Sequence, residues 1–359
     1  MTLYLRPTAF IDSPQRHDGA GERLAGTMLW FGAVEWIEDG TRRMVAAADM
    51  PAQIDALSGD RQARARTIWR NLTSPRAALT LGERVLRLDQ PHVMGILNMT
   101  PDSFSDGGRF TDDPAAAAEA GVAMAQAGAS LIDVGGESTR PGAPTVWEGD
   151  EIERVRPVIE RLARSGTPVS IDTRKAAVME AALAVGAHLI NDVSALLHDP
   201  RALEVAKASS VPICIMHAPS QGANPHEGAA YVDAALDVYD WLERRIAALV
   251  EAGIDRARLI IDPGLGFGKS VADNAALLNN LSLYHGLGCP LLVGASRKRM
   301  IGALSNEAPA DKRLGGSLFL ATKAIEAGAQ IVRVHDVPET VQAARVWRGL
   351  RDAALTARA

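Results

Sequence analysis

HVMGILNMTPDSFSDGG, residues 92–108, joins an apolar run to a polar loop. A short apolar run that stops at turn-forming residues is typical of a strand buried in a parallel sheet. This run ends at Asn98, and the residues after it are mainly proline, aspartate, serine and glycine, with Phe104 as the single aromatic side chain. A simple surface turn needs fewer residues and no large aromatic group. The stretch therefore predicts a buried strand that opens into a functional loop.

The same alternation of apolar strand and helical segment continues along the chain. Strands are predicted at residues 92–97, 130–135, 168–173, 188–193, 211–217, 258–263, 290–295 and 330–335, and helices at 114–127, 150–164, 175–185, 231–252, 273–281, 314–327 and 337–351. Continuous apolar strands joined by helices indicate a parallel sheet covered on both faces. About eight such units close into a (β/α)₈ TIM barrel, so we predict an α/β protein of this class. The alternative is an open doubly wound sheet, which usually has fewer strands and a glycine-rich fingerprint after the first one.

Residues 1–90 do not follow this alternation, and we predict that they form a small N-terminal α+β extension to a barrel of residues 91–359. Residues 33–45 predict a β-hairpin, because the Asp39-Gly40 pair favours a tight two-residue turn. Three of the six tryptophans, Trp30, Trp36 and Trp69, supply apolar bulk for a packed unit. Residues 74–88 are either a linker or a segment that plugs the barrel. The sequence leaves the role of the extension open.

The composition argues against several functional classes. The chain has 359 residues, of which 47% are hydrophobic and 23% charged, and its net charge is -5. These values are those of an ordinary globular protein and offer no broad basic surface for nucleic acid. No apolar run reaches the roughly 20 residues of a membrane-spanning helix, and the N-terminal residues lack a signal-peptide pattern. Cys214 and Cys289 lie in apolar runs, so we expect reduced core cysteines in a cytoplasmic protein.

Polar side chains end almost every predicted strand. Active sites of TIM barrels lie at the C-terminal ends of the strands, so these side chains should converge on one mouth. They are Asn98, Asp133 with Glu137, Asp172, Asn191 with Asp192, His217, Asp262, the run Ser296-Arg297-Lys298, and Arg333 with His335. Gathering so many polar groups at one place costs desolvation unless a ligand satisfies them.

The signs of the charges suggest the chemistry of that ligand. Asp172, Asn191 and Asp262 offer acceptors, which suit a polar ring rich in N–H donors. Lys298, Arg333 and His335 offer cations, which suit an anionic, phosphorylated end. The loops after the seventh and eighth strands of such barrels often hold phosphate. We therefore expect the mouth to hold acidic and amide groups at one side and cationic groups at the other, matched to a single elongated ligand.

Two stretches suggest a nucleotide site and a zinc site, but neither fits the pattern that such a site requires. Residues 263–270, PGLGFGKS, nearly spell a nucleotide P-loop, but Pro263 stands where the first glycine is required, and the segment follows a sixth strand instead of a first one. His217 and His226 lack the spacing of a zinc-binding helix, and no cysteine pair supports a zinc site.

Several of these stretches resemble the bacterial dihydropteroate synthase family. Residues 95–108, GILNMTPDSFSDGG, and 133–143, DVGGESTRPGA, are similar to its first and second signatures. Further matches are SIDTRK at 170–175, INDV at 190–193, DPGLGFGK at 262–269, GASRK at 294–298 and RVHD at 333–336. The resemblance spans residues 92–350. It weakens after Met216-His217, where the family reaches Gln-Gly almost at once and this chain first has Ala-Pro-Ser.

The resemblance implies a reaction in folate biosynthesis. The amine of 4-aminobenzoate displaces pyrophosphate from 6-hydroxymethyl-7,8-dihydropterin diphosphate, with Mg²⁺ as cofactor, in a homodimeric enzyme that uses small-molecule substrates only. We expect a dissociative displacement without a covalent enzyme intermediate, in which the carboxylate of Asp172 offsets positive charge on the methylene group.

The resemblance also implies roles for individual residues. Asp172, Asn191, Asp262 and Lys298 would hold the pterin, with Met216 and Phe267 packed on or near its pocket. Asn98, Arg140, Arg333 and His335 would meet the diphosphate, with Asn98 also near Mg²⁺, and Thr139 and Ser296 would lie by the aminobenzoate. The catalytic set is therefore expected to be Asp172, Arg140, Asn98 and Lys298. The loops that carry Phe104, Ser105, Asp106, Arg140 and Pro141 would close over the substrates, with Phe104 walling off the aminobenzoate.

Two other functions remain possible from the sequence. A corrinoid-dependent methyltransferase that acts on methyltetrahydrofolate shares the pterin-binding barrel, but it has no need of the diphosphate cations or of the loop at 138–143. A non-catalytic relative that serves as a scaffold would lose site residues first, and every expected one is present.

Overall fold

The barrel is an eight-stranded parallel sheet in a computed structural model that describes residues 2–14, 19–100, 113–140, 142–220, 222, 224–227 and 230–356. Its strands are β7 (His92–Asn98), β8 (Leu131–Gly135), β9 (Val169–Asp172), β10 (Leu189–Asp192), β11 (Ile213–Met216), β12 (Leu259–Asp262), β13 (Leu292–Val293) and β14 (Ile331–Val334). The spatial order is β12-β11-β10-β9-β8-β7-β14-β13, so strands adjacent in sequence are neighbours and the last pair folds back beside β7. The predicted TIM barrel is confirmed.

The barrel closes between β12 and β13 at a narrow seam. Within the described residues these two strands are joined by one isolated parallel bridge, between Ile261 and Leu291. The Ile261 amide donates to the Pro290 carbonyl over 2.9 Å. On the side away from the seam, toward β14, the Leu291 amide donates to the side-chain Oε1 of Gln330 over 2.8 Å.

Helices cover the outside of the barrel. They are α3 (Pro114–Ala127), α4 (Glu148–Arg164), α5 (Ala176–Ala184), α6 (Ala202–Ala208), α7 (Ala234–Glu251), α8 (Val271–Asn279), α9 (Arg299–Leu304), α10 (Leu314–Glu326) and α11 (Val337–Thr356). The start of α3 is set by the Asp113 carboxylate, which accepts from two amides of the first turn, and by Pro114 at the first helical position. Gly128, at φ 116, ends it. None of the described helices combines the length and apolarity needed to cross a membrane.

A hairpin fills the N-terminal end of the barrel. Its strands are β5 (Leu79–Leu81) and β6 (Arg84–Leu86). Its apolar side chains pack in one cluster with the inward-facing residues at the beginnings of the barrel strands, namely Leu79, Leu81, Leu88, Met94, Leu131, Leu189, Cys214, Ile260, Leu292 and Ile331. Residues 74–88 therefore plug the barrel, which is one of the two roles predicted for them. A separation of domains at residue 90 stays a prediction, because this hairpin lies against the barrel.

The rest of the extension is a small antiparallel sheet with two helices. Strand β3 (Trp30–Glu38) pairs with β1 (Leu3–Ile11), β2 (Glu22–Arg23) and β4 (Thr41–Ala46), and the helices are α1 (Met50–Asp55) and α2 (Gly59–Thr73). The predicted hairpin is present between β3 and β4. Its turn residues Asp39 and Gly40 both have positive φ, 48° and 79°, as a type I′ turn requires.

The extension packs against the side of the barrel and shares its main apolar core. Tyr4 donates to Asp240 of α7 over 2.9 Å and meets the ring of Tyr239 edge-on. The short 3₁₀ helix at Leu281–Leu287, which leads from α8 to β13, is held from the extension side: Ser282 donates to the Pro7 carbonyl and Asn71 to the Gly286 carbonyl, each over 2.8 Å. The extension therefore covers the connection beside the seam.

Candidate active site

A buried ion-pair network lies inside the C-terminal mouth of the barrel. Asp133 of β8 shares an inward face with the core residue Leu131, and Asp172 ends β9. Arg333 of β14 reaches both: its Nε donates to Asp133 Oδ2 over 2.5 Å and its Nη2 to Asp172 Oδ2 over 2.7 Å. The carboxylates and cations are thus interleaved at the mouth and not divided between two ends as the sequence suggested.

The other expected acceptors line the same space. Asn191, at the end of β10, donates its Nδ2 to Asp133 Oδ2 over 3.0 Å, which fixes the amide and leaves its Oδ1 as an acceptor. Asp262 ends β12 and accepts from the Gly264 amide over 2.7 Å. A Cβ atom placed on Gly294 would lie 4.0 Å from Asp262 Oδ2 and 3.8 Å from Arg333 Cβ, so these side chains are neighbours.

Asn98 ends β7, and Asp172 ends β9 on the other side of β8. A Cβ atom on Gly135 would lie 3.6 Å from Asp172 Oδ2 and 3.7 Å from Asn98 Oδ1, so both oxygens flank the same point of β8. Among the residues that the structure describes, no three histidine, cysteine or carboxylate side chains converge as a metal site. An amide oxygen beside a carboxylate nevertheless suits Mg²⁺, which usually takes one or two protein ligands and completes its shell with phosphate oxygens and water.

Burial sets the protonation of these groups. It raises the pKa of Asp172 to about 7, against the opposing effect of Arg333, and it also raises the pKa of Asp262. Burial lowers the pKa of Lys298 to about 8, although Asp262 opposes this change. Burial and the nearby Arg333 lower the pKa of His335 to about 3, so this ring is neutral near pH 7 and acts as a hydrogen-bonding group and not as the cation that was expected.

The loops after β13 and β14 are tied together beside this network. Ser296 Oγ lies 3.0 Å from His335 Nδ1, and the His335 amide donates back to Ser296 Oγ over 3.2 Å. Arg297, with a positive φ of 56°, forms an ion pair with Asp336. Ser296 and His335, assigned by the resemblance to different substrates, are therefore in direct contact.

An apolar wall stands at the ends of β10, β11 and β12. Val193, Met216, Ala218 and Phe267 form a separate cluster there. Lys298 Nζ lies 4.8 Å from the centre of the Phe267 ring and donates to the Leu265 carbonyl. The wall places an aromatic face beside the buried acceptors, which is the arrangement a flat polar ring needs.

The loop after β8 is anchored by an ion-pair network whose cations, Arg174 and Lys175, were not assigned to the site from the sequence. Glu137 accepts from the Val146 amide over 3.0 Å and forms ion pairs with Arg174 and Lys175, each at 3.2 Å. Lys175 also meets the buried Glu151 at 2.6 Å. This network fixes the base of the loop that carries Thr139 and the exposed Arg140. Phe104, Ser105, Asp106 and Pro141 lie outside the described residues.

His226 links this loop to the apolar wall. Its ring stacks on Phe267 with the centres 4.8 Å apart and the planes 9° apart, and its Nε2 lies 2.7 Å from the Thr139 carbonyl. The sequence offered no spacing that pointed to this role, because His226 lies in the stretch that departs from the family pattern. Asp133 was expected at the mouth as a strand-end side chain, and strand alternation places it on the same inward face as Leu131.

Comparisons with known proteins agree on one family. The sequence model of the pterin binding enzymes matches residues 94–335, more than half of the chain. The dihydropteroate synthase of Escherichia coli strain K12 is 48% identical over 262 residues, which are 73% of this chain and 92% of that protein. The chain belongs to the dihydropteroate synthase family. The family match begins at residue 94, so it leaves the extension out.

Solved structures of the synthase family are similar in fold. The Xanthomonas albilineans dihydropteroate synthase with 4-aminobenzoic acid has a TM-score of 0.71 and 47% identity, over 77% of this chain and 98% of that one. The same bacterial enzyme in complex with 7,8-dihydropteroate has a TM-score of 0.68 and 45% identity, over 76% of this chain and 98% of that one.

Proposed function

We propose that this chain is a dihydropteroate synthase, which joins 6-hydroxymethyl-7,8-dihydropterin diphosphate to 4-aminobenzoate and releases pyrophosphate. The observation that carries the proposal is the convergence of Asp172, Asn191 and Asp262 with Lys298 and Arg333 in one barrel mouth. These side chains complement a ring with N–H donors that is joined to an anion.

The pterin is assigned to the inner part of the mouth. The oxygens of Asp172, Asn191 and Asp262 accept from its ring nitrogens, and Lys298 donates to it. Met216 and Phe267 pack against the ring, in keeping with the apolar wall that they form. Buried donors and acceptors matched in this way give strong selectivity, because a ring without the N–H groups would leave them unpaired.

The diphosphate is assigned to Arg333, His335, Arg140 and Asn98. Burial and the neighbouring cations lower the pKa of the His335 ring. A bound anion raises that pKa again, because it favours the protonated imidazole. Mg²⁺, which Asn98 Oδ1 would hold together with diphosphate oxygens, supplies neutralisation of the charge on the departing pyrophosphate. These groups bind the leaving group more strongly as its negative charge grows. They therefore stabilise the transition state more than the bound substrate, as catalysis requires.

Arg333 gives a specific order of events. Its guanidinium forms an ion pair with the Asp172 carboxylate at 2.7 Å. A diphosphate competes for the guanidinium and so exposes the Asp172 carboxylate to the pterin. The bond between the methylene carbon and the diphosphate oxygen then breaks, with its electron pair going to pyrophosphate. Asp172 offsets the positive charge spread over the ring and methylene, the amine nitrogen bonds the methylene carbon, and the amine releases one proton.

The aminobenzoate is assigned to the outer part of the mouth, between Thr139 and Ser296. Phe104, in the loop after β7, is proposed to close over it. We also propose a cytoplasmic homodimer. The described part of the chain contains two buried free cysteines, and exposed apolar side chains on α10 and α11, Phe319, Val346 and Leu350, supply a surface for a second copy.

Pyrophosphate release in the presence of both substrates tests the proposed activity. Release should require the pterin diphosphate, 4-aminobenzoate and Mg²⁺ together, and chelation of the metal should stop it reversibly. Tight pterin binding without release would favour a scaffold. Methyl transfer from methyltetrahydrofolate to a corrinoid would favour the methyltransferase. Light scattering of the full chain tests the dimer.

A further inference from the structure

Lys269 belongs to the segment that resembles a nucleotide P-loop, yet its side chain turns back on its own loop. In a P-loop the lysine reaches phosphate. Here Lys269 Nζ donates to the Gly264 carbonyl over 2.8 Å and to the Phe267 carbonyl over 3.2 Å. It also lies 3.0 Å from Nδ1 of His217, the residue that follows β11. These three acceptors match the three protons of an ammonium group.

The surroundings favour a fixed structural lysine over a ligand-binding one. Burial, helped by Lys298, lowers the pKa of Lys269 to about 7. Burial and Lys269 itself lower the pKa of His217 to about 3, so the imidazole is neutral and its Nδ1 is available to accept. Within the described residues, the ammonium forms hydrogen bonds with carbonyl groups and an imidazole and with no carboxylate. The nearby carboxylates of Asp262 and Asp273 favour the charged form of Lys269 without forming a hydrogen bond to it in the described part of the chain.

The opposite side of the same turn faces the substrate mouth. The Leu265 carbonyl accepts from Lys298, and the Phe267 ring lies against Lys298 Nζ. Close approach requires glycine at two positions: a Cβ on Gly266 would lie 3.0 Å from Lys298 Cδ, and one on Gly264 would lie 1.9 Å from the His217 carbonyl oxygen. Lys269 thus binds one side of the turn, and the other side of the turn positions Lys298.

We propose that Lys269 is a positioning residue for pterin recognition: it fastens the Gly264–Phe267 turn to the end of β11 and thereby sets where Phe267 and Lys298 stand. The proposal rests on the assignment of Phe267 and Lys298 to the pterin. It differs from phosphate binding by Lys269, which the motif alone would suggest. The two roles predict opposite effects on the two halves of the substrate.

The test compares Lys269→Met with the exposed control Lys312→Met by calorimetric titration of the full chain. Two probes are used, 6-hydroxymethylpterin without phosphate and inorganic pyrophosphate with Mg²⁺. We expect Lys269→Met to weaken pterin binding at least tenfold and to change pyrophosphate binding less than twofold. The KM for 4-aminobenzoate should change less than threefold. Weakened pyrophosphate binding with normal pterin binding, or normal binding of both, would overturn the proposal.

A second pair of variants keeps the test valid if Lys269→Met does not fold. His217→Asn keeps an acceptor oxygen near the place of Nδ1, whereas His217→Phe keeps the ring and removes the acceptor. The Asn variant should retain pterin affinity within threefold, and the Phe variant should lose at least tenfold. Equal affinity in the two would overturn the role of this contact. Lys298→Met distinguishes a failure of the Lys269 proposal from a failure of the pterin-pocket assignment. Unchanged pterin binding in that variant would refute the assignment of Lys298 to the pterin.

Discussion

Substituting Gly264 by alanine probes the turn beneath the proposed pterin pocket. Gly264 has φ 71°, and an added Cβ would lie 1.9 Å from the His217 carbonyl oxygen. Gly166 is a matched control, because its φ of 76° is nearly the same and a Cβ there would meet nothing within 4 Å. Both alanine variants place a side chain on a left-handed backbone and lose stability for that reason. They differ in the steric overlap.

The expected magnitudes follow from these geometries. A left-handed alanine costs about 1 kcal/mol, which both variants lose from their free energy of unfolding. Relief of the overlap at Gly264 requires a shift of well over 1 Å between the turn and the end of β11, and such repacking costs about 1–3 kcal/mol more. A displacement of about 1 Å in a substrate-positioning element lowers catalytic efficiency roughly a hundredfold.

Denaturant unfolding and pyrophosphate release measure the two effects. We expect Gly264→Ala to be less stable than Gly166→Ala by about 1–3 kcal/mol and to lose most of its kcat/KM for the pterin diphosphate. Gly166→Ala should keep the activity of the parent chain. Equal stability and equal activity of the two variants would refute the claim that the close approach of this turn to β11 shapes the site.

Asp172→Asn should lower kcat about a hundredfold and pterin affinity only a few-fold, because an opposed charge at about 5 Å and an effective dielectric constant of about 20 is worth roughly 3 kcal/mol. Since the pKa of Asp172 is about 7, protonation between pH 8 and pH 6 should lower kcat/KM about tenfold in the parent chain and not in the Asn variant. His226→Phe should raise the KM for 4-aminobenzoate about tenfold, whereas His226→Gln, which keeps a donor for the Thr139 carbonyl, should change it little; similar values would contradict that role. Arg351→Met should lower the free energy of unfolding by about 3 kcal/mol, because the Met28 carbonyl loses its donor; a loss below about 0.5 kcal/mol would show that water replaces it.

The sequence predicted the barrel well because its signal is local. Apolar runs of strand length and alanine-rich helical segments alternate, and each run corresponds to an observed strand. The seventh strand was predicted at residues 290–295 but is only Leu292–Val293, because it lies at the seam where strand pairing is reduced to one bridge in the described chain. The short helices α6 and α9 were not predicted, since six or seven residues carry little periodicity.

The site was predictable to the extent that the fold brings strand ends together. Asp172, Asn191 and Asp262 lie at the mouth because each ends a barrel strand. The pairing of these side chains was not predictable. Arg333 binds Asp133 and Asp172, which lie 200 and 161 positions away in the chain, and a single sequence does not show which distant residues come into contact. The neutral state of His335 likewise depends on burial among cations that lie far along the chain.

The extension has a consequence for where this enzyme is sensitive to change. The two strands that meet at the seam lead to Asp262 on one side and to Ser296 and Lys298 on the other. The 3₁₀ helix joining them rests on β1 and α2 through Pro7 and Asn71. We therefore expect a change in the extension, remote from the proposed substrates, to shift β13 and the site residues that follow it. Screens for altered kinetics or inhibitor response should accordingly mutate residues 2–73 as well as the catalytic end.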